Sequence, residues 1–534
     1  MNVSGQIADP HNFPELVFGL VGPVGVDLHI VSGTLTEALL QVGYTCEAVR
    51  LSKLMNDLPG EPWKDLPTGG PYDESLSAYM SAGDKIREVA DCGDALALLA
   101  VGAIREIREA RAGEPGRALS RVAYVLHSLK RPEEVETLRR IYGPTFFLVS
   151  AYAPRDKRVQ YLAKRIAESR YKHQAAEFVS KAEDLVGRDE AEGGRKYGQN
   201  VQDTFPLSDV IVNTEDAGSL KASISRFTDL IFGNPFHTPS PDEQGVAHAY
   251  LAALRSSSLA RQVGAALCRS DGSLIATGAN DVAKSGGGLY WAGDEGDGRD
   301  FQGTRDSSDK MRESVLADIL KNLQDAGWLS EEQQSKPVGQ LVQSCLYSTH
   351  SPTGVERPIM KGALFLRTID YVRAVHAEMA ALTDAARNGV SVKGAVLYTT
   401  TFPCHDCAKH LVAAGVERVV YVEPYPKSLV QELYPDSVMV DSGSECGGKV
   451  RFEPFVGVAP KRYRELFSAI RKTRKKPNGE VFVWRPTGAA PHLPEYLPSP
   501  LTRLTAEQEE LNRFRQLLVE KGLANVQGGS GNDA

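Results

Sequence analysis

Two short motifs constrain this chain more than any other feature, because their side chains resist burial unless they meet in one place. The first, VHAEMAAL, places His376 and Glu378 at the start of an alanine-rich run with the apolar pattern of a core-facing helix. The second, TFPCHDCAKHL, places Cys404 and Cys407 three positions apart, directly after a proline. Buried polar and ionisable groups need partners. We therefore expect the chain to fold so that the two motifs lie together.

The two cysteines predict a metal site. Cysteines at this spacing lie on one face of a helix, and thiols near a helix N-terminus ionise readily to the thiolate that binds metal. With His376 they supply three ligands of a tetrahedral Zn²⁺ site and leave the fourth position for water, as catalytic zinc requires. Cys404 and Cys407 alone would also fit a redox pair or half of a structural zinc site, but the sequence has no second Cys-x-x-Cys. We expect His405 and His410 on the helix surface.

Residues from about 236 to 460 resemble the deoxycytidylate deaminases of the cytidine deaminase-like fold. The resemblance rests on three segments in this order: RQVGAALCRSDGSLIATGAND, VHAEMAAL and TFPCHDCAKHLVAAGVERVVY. It implies an α/β/α domain with a mixed five-stranded sheet, and zinc-dependent hydrolytic deamination of dCTP, dCMP or both. It also implies that Glu378 moves protons during the reaction and that Asn280 contacts the substrate's sugar. A turn residue beside Asp281 is the alternative role for Asn280.

Two further residues are candidates for binding the phosphates of the substrate. Lys427 and Ser428 end the segment YVEPYPKS, which follows a predicted strand. A solvated loop explains these residues equally well, and the sequence leaves both interpretations open.

The first half of the chain alternates predicted strands and helices, which indicates an α/β domain with a parallel sheet. Between the first strand and the first helix, Gly19, Gly22 and Gly25 form a loop of the kind whose backbone N–H groups bind phosphate. A full Walker motif would continue with Lys and Ser or Thr, but Val26 and Asp27 follow instead. Three interpretations remain open: a degenerate regulatory nucleotide pocket, a structural remnant, and an active kinase or ATPase.

The whole chain also resembles bacterial anti-phage deoxycytidine nucleotide deaminases, in which a P-loop, kinase-like domain precedes the deaminase. The segments FGLVGPVGVDL, MSAGDKIRE and LKRPEEVETLRRIYG fit that arrangement. The resemblance implies antiviral depletion of deoxycytidine nucleotides, a homo-oligomer, and a regulatory nucleotide or small inhibitory RNA at the first domain. Mg²⁺ with a nucleoside triphosphate is a second cofactor considered for that domain. We predict domains at 1–235 and 236–500, with a C-terminal helix and tail at 501–534.

Composition restricts the remaining function classes. The formal net charge of −7 over 534 residues argues against a protein that mainly grips nucleic acid through a broad basic surface. Seven cysteines, an odd and sparse set, indicate reduced thiols and a cytoplasmic location, and no apolar run long enough for a membrane span occurs. A tRNA or single-strand base deaminase, and a nucleotide-sensing regulator with a vestigial deaminase, remain as alternatives.

Overall fold

The structure is a computed structural model, and its residues fall into two compact units. It describes residues 12–58, 63–113, 117–190, 192, 195–303, 305–350, 357–360, 363–367, 371–424, 428–441, 447–494 and 499–521. The first unit combines residues 1–243 with residues 456–534, and the second unit comprises residues 244–455. Among the described residues, no helix is both long enough and apolar enough to cross a membrane.

The first unit is built on a largely parallel sheet, as the alternating sequence pattern predicts. Its strands run in the order β16-β5-β4-β1-β3-β2, with β16 antiparallel to β5 at one edge. They are β1 (Leu16–Val21), β2 (Thr45–Arg50), β3 (Val122–His127), β4 (Phe146–Tyr152), β5 (Val210–Asn213) and β16 (Gly457–Val458). All residues of β1 are buried, which fits a parallel strand covered by helices on both faces.

Alternate side chains of β1 enter two different hydrophobic cores. Val17 and Val21 pack into one core, whereas Leu16, Phe18 and Leu20 pack into the core on the opposite face. The helices of this unit, in chain order, are α1 (Leu28–Gln41), α2 (Leu51–Asn56), α3 (Tyr72–Ala90), α4 (Ala95–Ala112), α5 (Pro132–Tyr142), α6 (Arg155–Ser169), α7 (Val179–Glu190), α8 (Val201–Thr204), α9 (Ala217–Ile231), α17 (Pro460–Phe467) and α18 (Pro500–Glu520). The boundary between the units falls inside α10 (Pro241–Ala253).

The second unit contains a mixed sheet of six strands in the order β14-β15-β13-β12-β6-β7. The strand β12 is antiparallel to β6 and parallel to β13, so the sheet joins an antiparallel hairpin to a parallel half. The sheet strands are β6 (Gly264–Cys268), β7 (Leu274–Ala279), β12 (Val396–Thr401), β13 (Arg418–Glu423), β14 (Val438–Val440) and β15 (Val450–Pro454). The described sheet has one strand more than the five that the family resemblance implied, so that expectation was wrong; the three-residue strand β14 lies at one edge of the sheet.

Short strands and helices complete the second unit. Two pairs of short strands lie outside the main sheet: β8 (Asp281–Val282) with β11 (Ala374–Val375), and β9 (Thr349–His350) with β10 (Arg357–Pro358). The remaining helices are α11 (Ser307–Asp325), α12 (Glu331–Gln334), α13 (Val338–Leu346), α14 (Ala377–Arg387), α15 (His405–Ala413) and α16 (Val430–Leu433).

The compact units differ from the predicted domain ranges at their C-terminal side. The prediction placed residues 236–500 in the second domain and treated 501–534 as a separate helix and tail, but the second unit ends at Phe455. The chain then returns to the first unit, where β16 pairs with β5 and α18 forms buried ion pairs. A two-residue strand carries no periodicity, so the sequence pattern could not reveal this return.

Candidate metal centre

His376 is held at the start of a helix by a short strand pair. Val375, the last residue of β11, pairs with Asp281 of β8, and α14 begins directly afterwards with His376 as its N-cap. The cap residue has extended backbone angles, φ −65° and ψ 151°. Its side chain therefore does not follow the helical direction, and this explains how His376 and Glu378 can border one pocket although they lie two positions apart.

Two contacts fix the backbone around this helix start. Asp281 is buried and its carboxylate accepts hydrogen bonds from the backbone N–H and the hydroxyl of Ser257. On the neighbouring strand β7, a Cβ at Gly278 would collide with the backbone carbonyl of Ala377. Only glycine permits this approach between strand and helix. Neither contact was predicted from the sequence, although the serine cluster at 256–258 and Gly278, two positions before Asn280, mark them.

The two cysteines belong to the strand–helix junction between β12 and α15. Cys404 is the N-cap of α15, and its Sγ accepts a hydrogen bond from the backbone N–H of Cys407 at 3.4 Å. Both thiols are buried. Helix N-terminal N–H groups favour negative charge, so this junction stabilises thiolate at Cys404.

The donor atoms of the three predicted ligands converge. His376 Nδ1 lies 3.3 Å from Cys404 Sγ and 3.4 Å from Cys407 Sγ. The three donor atoms lie within 4.8 Å of one another, and they form the one group of this kind found among the described residues. In a tetrahedral zinc site with ordinary Zn–S and Zn–N bond lengths, the ligand atoms lie roughly 3.6 Å from one another. The donor set and its spacing therefore fit a zinc ion.

Glu378 lies beside the cluster and is itself buried, with 4% of its surface exposed. Its Oε2 is 3.6 Å from Cys407 Sγ. Burial raises the pKa of the Glu378 carboxyl, and the negative charge of the Cys404 thiolate raises it further. A carboxyl group with a raised pKa at such a position is suited to accepting and returning a proton.

The electrostatics of the cluster favour a bound cation. A hydrogen bond with Cys407 and the nearby His376 lower the pKa of Cys404 to about 4, and the pKa of His376 is raised to about 9 chiefly by its contact with Cys404. The pKa of Cys407 is strongly raised by its hydrogen bond with Cys404 and by burial. Two thiolates and a carboxylate cannot all be ionised in this volume without a compensating positive charge. A metal cation held by the three donors would supply that charge.

The predicted substrate-binding residues lie in three different situations. The side chain of Asn280 accepts a hydrogen bond from Val263 N at 2.7 Å and donates one to Arg261 O at 2.9 Å, so its amide holds the backbone at the start of β6. The hydroxyl of Ser428 donates to Pro403 O at 2.8 Å, which places it next to Cys404. Lys427 lies outside the described residues. The substrate roles of these three residues stay predictions.

The predicted phosphate loop joins β1 to α1. Gly19 lies within β1, Gly22 follows the strand, and Gly25 has the positive φ of +94° that favours glycine. The nucleotide-binding role of these glycines stays a prediction.

On α15, His405 is half-buried and its Nδ1 has no hydrogen-bond partner among the described residues, whereas His410 is exposed as expected.

The second unit is a mixed α/β unit whose His–Cys–Cys cluster, with a carboxylate beside it, has the donor set of a metal centre with three protein ligands. Comparison with protein families finds a match over part of the chain. Residues 239–423 match the model of the family described as the cytidine and deoxycytidylate deaminase zinc-binding region. This region holds all three donors and Glu378, and it supports a hydrolytic, zinc-binding deaminase.

Similar proteins match over short segments. The chain is 48% identical over 54 residues to the deoxycytidylate deaminase of Enterobacteria phage T2, which is 10% of this chain and 29% of that protein. It is 40% identical over 63 residues to ComE operon protein 2 of Bacillus subtilis, covering 12% of this chain and 33% of that protein. It is 36% identical over 52 residues to human deoxycytidylate deaminase, which is 10% of this chain and 28% of that protein. The chain thus matches about a third or less of the length of these relatives.

A solved structure of a dCMP deaminase from cyanophage S-TIM5, in complex with dCMP and dUMP, aligns with 41% of this chain and 100% of its own. The identity is 18% and the TM-score is 0.21.

Proposed function

We propose that the second unit hydrolytically deaminates deoxycytidine nucleotides, dCMP, dCTP or both, to the corresponding deoxyuridine nucleotides. The observation that carries the proposal is the approach of His376 Nδ1, Cys404 Sγ and Cys407 Sγ to one another, with the buried Glu378 carboxylate 3.6 Å from Cys407 Sγ. The local relatives named deoxycytidylate deaminases support the choice of substrate class.

His376, Cys404 and Cys407 would hold the metal ion through one nitrogen and two sulfur atoms. When bound there, Zn²⁺ supplies Lewis acidity that makes a water molecule available as a nucleophile near neutral pH. The cap position of Cys404 and the strand pairing before His376 keep these side chains in place without substrate. Such fixed geometry reduces the reorganisation needed during the reaction.

Glu378 performs the proton transfers in this proposal. Its carboxylate accepts a proton from the attacking water and delivers it to N3 of the cytosine ring, while a C–O bond forms at C4. It then transfers the second water proton to the amino group, the C4–N bond breaks, and ammonia leaves. All atoms of the water molecule and the substrate are found in the deoxyuridine nucleotide and ammonia, and no oxidant or reductant is consumed. The buried position keeps the carboxyl pKa high enough for it to act in both directions.

Substrate recognition rests on Asn280, Lys427 and Ser428 in this proposal. Ser428 donates to the carbonyl of Pro403, the residue before the ligand Cys404, and so stands close to the centre. Asn280 directly precedes β8, whose partner strand leads into His376. A sugar hydroxyl could replace one of the backbone partners of the Asn280 amide.

A substrate panel tests the proposal against its alternatives. The zinc-loaded full chain is incubated with deoxycytidine, dCMP, dCTP, tRNA and single-stranded DNA, and uracil products and ammonia are quantified. We expect equal amounts of ammonia and deoxyuridine nucleotide from dCMP or dCTP. Deamination of the polynucleotides alone would establish a nucleic-acid base deaminase. Absence of any uracil product would leave the nucleotide-sensing regulator.

We further propose that this reaction serves antiviral defence by depleting deoxycytidine nucleotides. The support is the resemblance of the whole chain to bacterial anti-phage deaminases. Regulation by a nucleotide or a small inhibitory RNA, Mg²⁺ with a triphosphate, and a homo-oligomer stay predictions of the same resemblance. Phage plating and dCTP pools are compared in cells that produce the wild type or Glu378→Gln. Equal plating efficiency and equal pools would contradict the antiviral role.

A further inference from the structure

The backbone of the β1–α1 loop in the first unit is hydrogen-bonded to a buried carboxylate of the same chain. Asp189, in the last turn of α7, is 0% exposed. Its Oδ2 accepts a hydrogen bond from the backbone N–H of Val24 at 2.7 Å. Val24 lies between Gly22 and Gly25, so the carboxylate contacts the middle of the glycine loop.

A lysine ammonium group binds the same carboxylate and the same loop. Lys130, just after β3, donates from Nζ to Asp189 Oδ1 at 2.8 Å and to the carbonyl of Gly22 at 2.9 Å. The sequence lacks a lysine directly after Gly25, where a phosphate-binding loop would carry it. The fold nevertheless brings an ammonium group to this loop from the neighbouring strand.

The opposite side of the loop packs against α6. A Cβ at Gly25 would lie 2.7 Å from the Cβ of Arg158 and 2.8 Å from its carbonyl oxygen. Arg158, itself 7% exposed, also forms an ion pair from Nη2 to Glu190 at 2.8 Å. Thus α6 contacts the loop on one side and the end of α7 contacts it on the other. Asp189 and Glu190 are adjacent in the last turn of α7.

The donors around Asp189 are those that bind an oxyanion. One backbone N–H of a glycine loop and one ammonium group converge on its two oxygens, at the carboxyl end of β1 in a parallel sheet. Ligands of open α/β sheets bind at this edge. A carboxylate oxygen and a phosphate oxygen make the same charge-assisted hydrogen bonds to such donors.

We propose that the glycine loop is an oxyanion site whose resident anion is the carboxylate of Asp189, and that a phosphate group binds there only when the last turn of α7 moves away. The ligand class is a phosphate or the phosphate of a larger molecule. Because Asp189 and phosphate compete for Val24 N–H and Lys130 Nζ, ligand binding and the position of α7 are coupled. This inference concerns the first unit and does not depend on the deaminase proposal.

Rescue of a cavity variant by phosphate tests the proposal. Asp189→Ala removes the resident anion and leaves the half-buried Lys130 ammonium group with the Gly22 carbonyl but no counter-charge at the loop, so the Tm of the first unit falls. We expect inorganic phosphate at about five times its Kd to raise the Tm of this variant by roughly 2 °C more than that of the wild type. Sodium chloride at matched ionic strength corrects for general salt effects. Asp184→Ala, at an exposed position of the same helix, should respond like the wild type.

Two further variants make the result decisive. Lys130→Met combined with Asp189→Ala removes the ammonium group as well, and phosphate should no longer give the additional Tm rise. If Asp189→Ala does not fold, Asp189→Ser keeps an acceptor for Val24 N–H in a smaller side chain and is tested with the same expectation. A phosphate response of the substituted protein equal to that of the wild type would overturn the proposal and leave a purely structural ion pair.

Discussion

The carboxylate of Glu378 lies 3.6 Å from the thiol of Cys407, inside the same buried cluster as the three donor atoms. The two residues reach this position from different helix starts, α14 and α15. A group that exchanges protons during hydrolysis must lie within reach of the nucleophile and must not occupy a ligand position of its own. Glu378 lies beside the three-donor group without belonging to it, which is the arrangement that the proposed reaction requires.

Replacement of Glu378 by Gln should separate metal binding from turnover. The amide keeps the size of the side chain but cannot take a proton from water, so we expect unchanged zinc content and a kcat reduced by about 10²–10⁴-fold. Zinc is measured by elemental analysis and turnover by ammonia release on the same preparation. Wild-type kcat in the zinc-loaded variant would remove Glu378 from the mechanism.

Replacement of Cys404 by Ala should abolish both zinc and activity. It removes a ligand and also the thiol that accepts the Cys407 N–H at the helix start. Cys268→Ala is the matched control, because Cys268 is a buried cysteine of the same unit that lies in β6 and is not part of the donor cluster. The control should keep one zinc ion per chain. Stoichiometric zinc in Cys404→Ala would show that the ligand set is wrong.

The convergence of the three donor residues could be expected from the sequence because each motif is local and begins a helix. His376, Cys404 and Cys407 carry ligand chemistry at a recognisable spacing, and only their mutual approach required the fold. The alternating pattern likewise predicted the parallel sheet of the first unit and the passage from its first strand to its first helix. The glycine positions were recognisable too, but not the residues that contact the loop.

Contacts between distant segments could not be predicted in this way. Nothing in the spacing of Lys130 and Asp189 indicates that they meet, since each looks like a solvated surface charge in its own segment.

The start of the C-terminal helix could not be predicted either, because the sequence offers two competing helix-start signals. In the sequence, Thr505 and Gln508 match a capping box, but α18 begins at Pro500, where the hydroxyl of Ser499 accepts the N–H of Thr502. Ser followed by Pro is an equally good helix start, and the packing of α18 on the first unit selects it.

Replacement of Glu507 by Ala should destabilise the first unit strongly. Its two carboxylate oxygens accept hydrogen bonds from Arg108 at 2.7 and 2.8 Å, and all of these groups are buried. Removal of one partner leaves a buried charge without full compensation, which costs about 3–5 kcal/mol. Hydrogen exchange of the β1 amides under mild denaturant measures the effect. Glu509→Ala, at an exposed position of the same helix, serves as the control, and equal protection in both variants would contradict the buried ion pair.

His127 should make the first unit sensitive to acid. It is buried at the end of β3 with Nε2 3.0 Å from Ser32 Oγ, and burial, with smaller contributions from His29 and Arg50, lowers its pKa from 6.5 to about 4. The unfolded chain binds a proton near pH 6.5 and the folded chain only near pH 4, so stability is present above pH 6.5 and is lost as the pH falls toward 4.

Between about pH 7 and about pH 5 the loss attributable to His127 should be about 2 kcal/mol in the free energy of unfolding. Urea unfolding of wild type, His127→Gln and the exposed-site control His173→Gln measures it. We expect the pH dependence to be reduced in His127→Gln and retained in His173→Gln. An unchanged slope in His127→Gln would show that this imidazole does not resist protonation.

The central claim is that a metal ion held by His376, Cys404 and Cys407 enables deamination of a deoxycytidine nucleotide. Its most direct test is to remove zinc from the full chain, return it in steps, and measure bound zinc and ammonia release from dCMP and dCTP on each sample. We expect the rate to rise in proportion to bound zinc and to stop rising at one ion per chain. A rate that is zero at full occupancy, or that does not change as the ion is removed and restored, would contradict it.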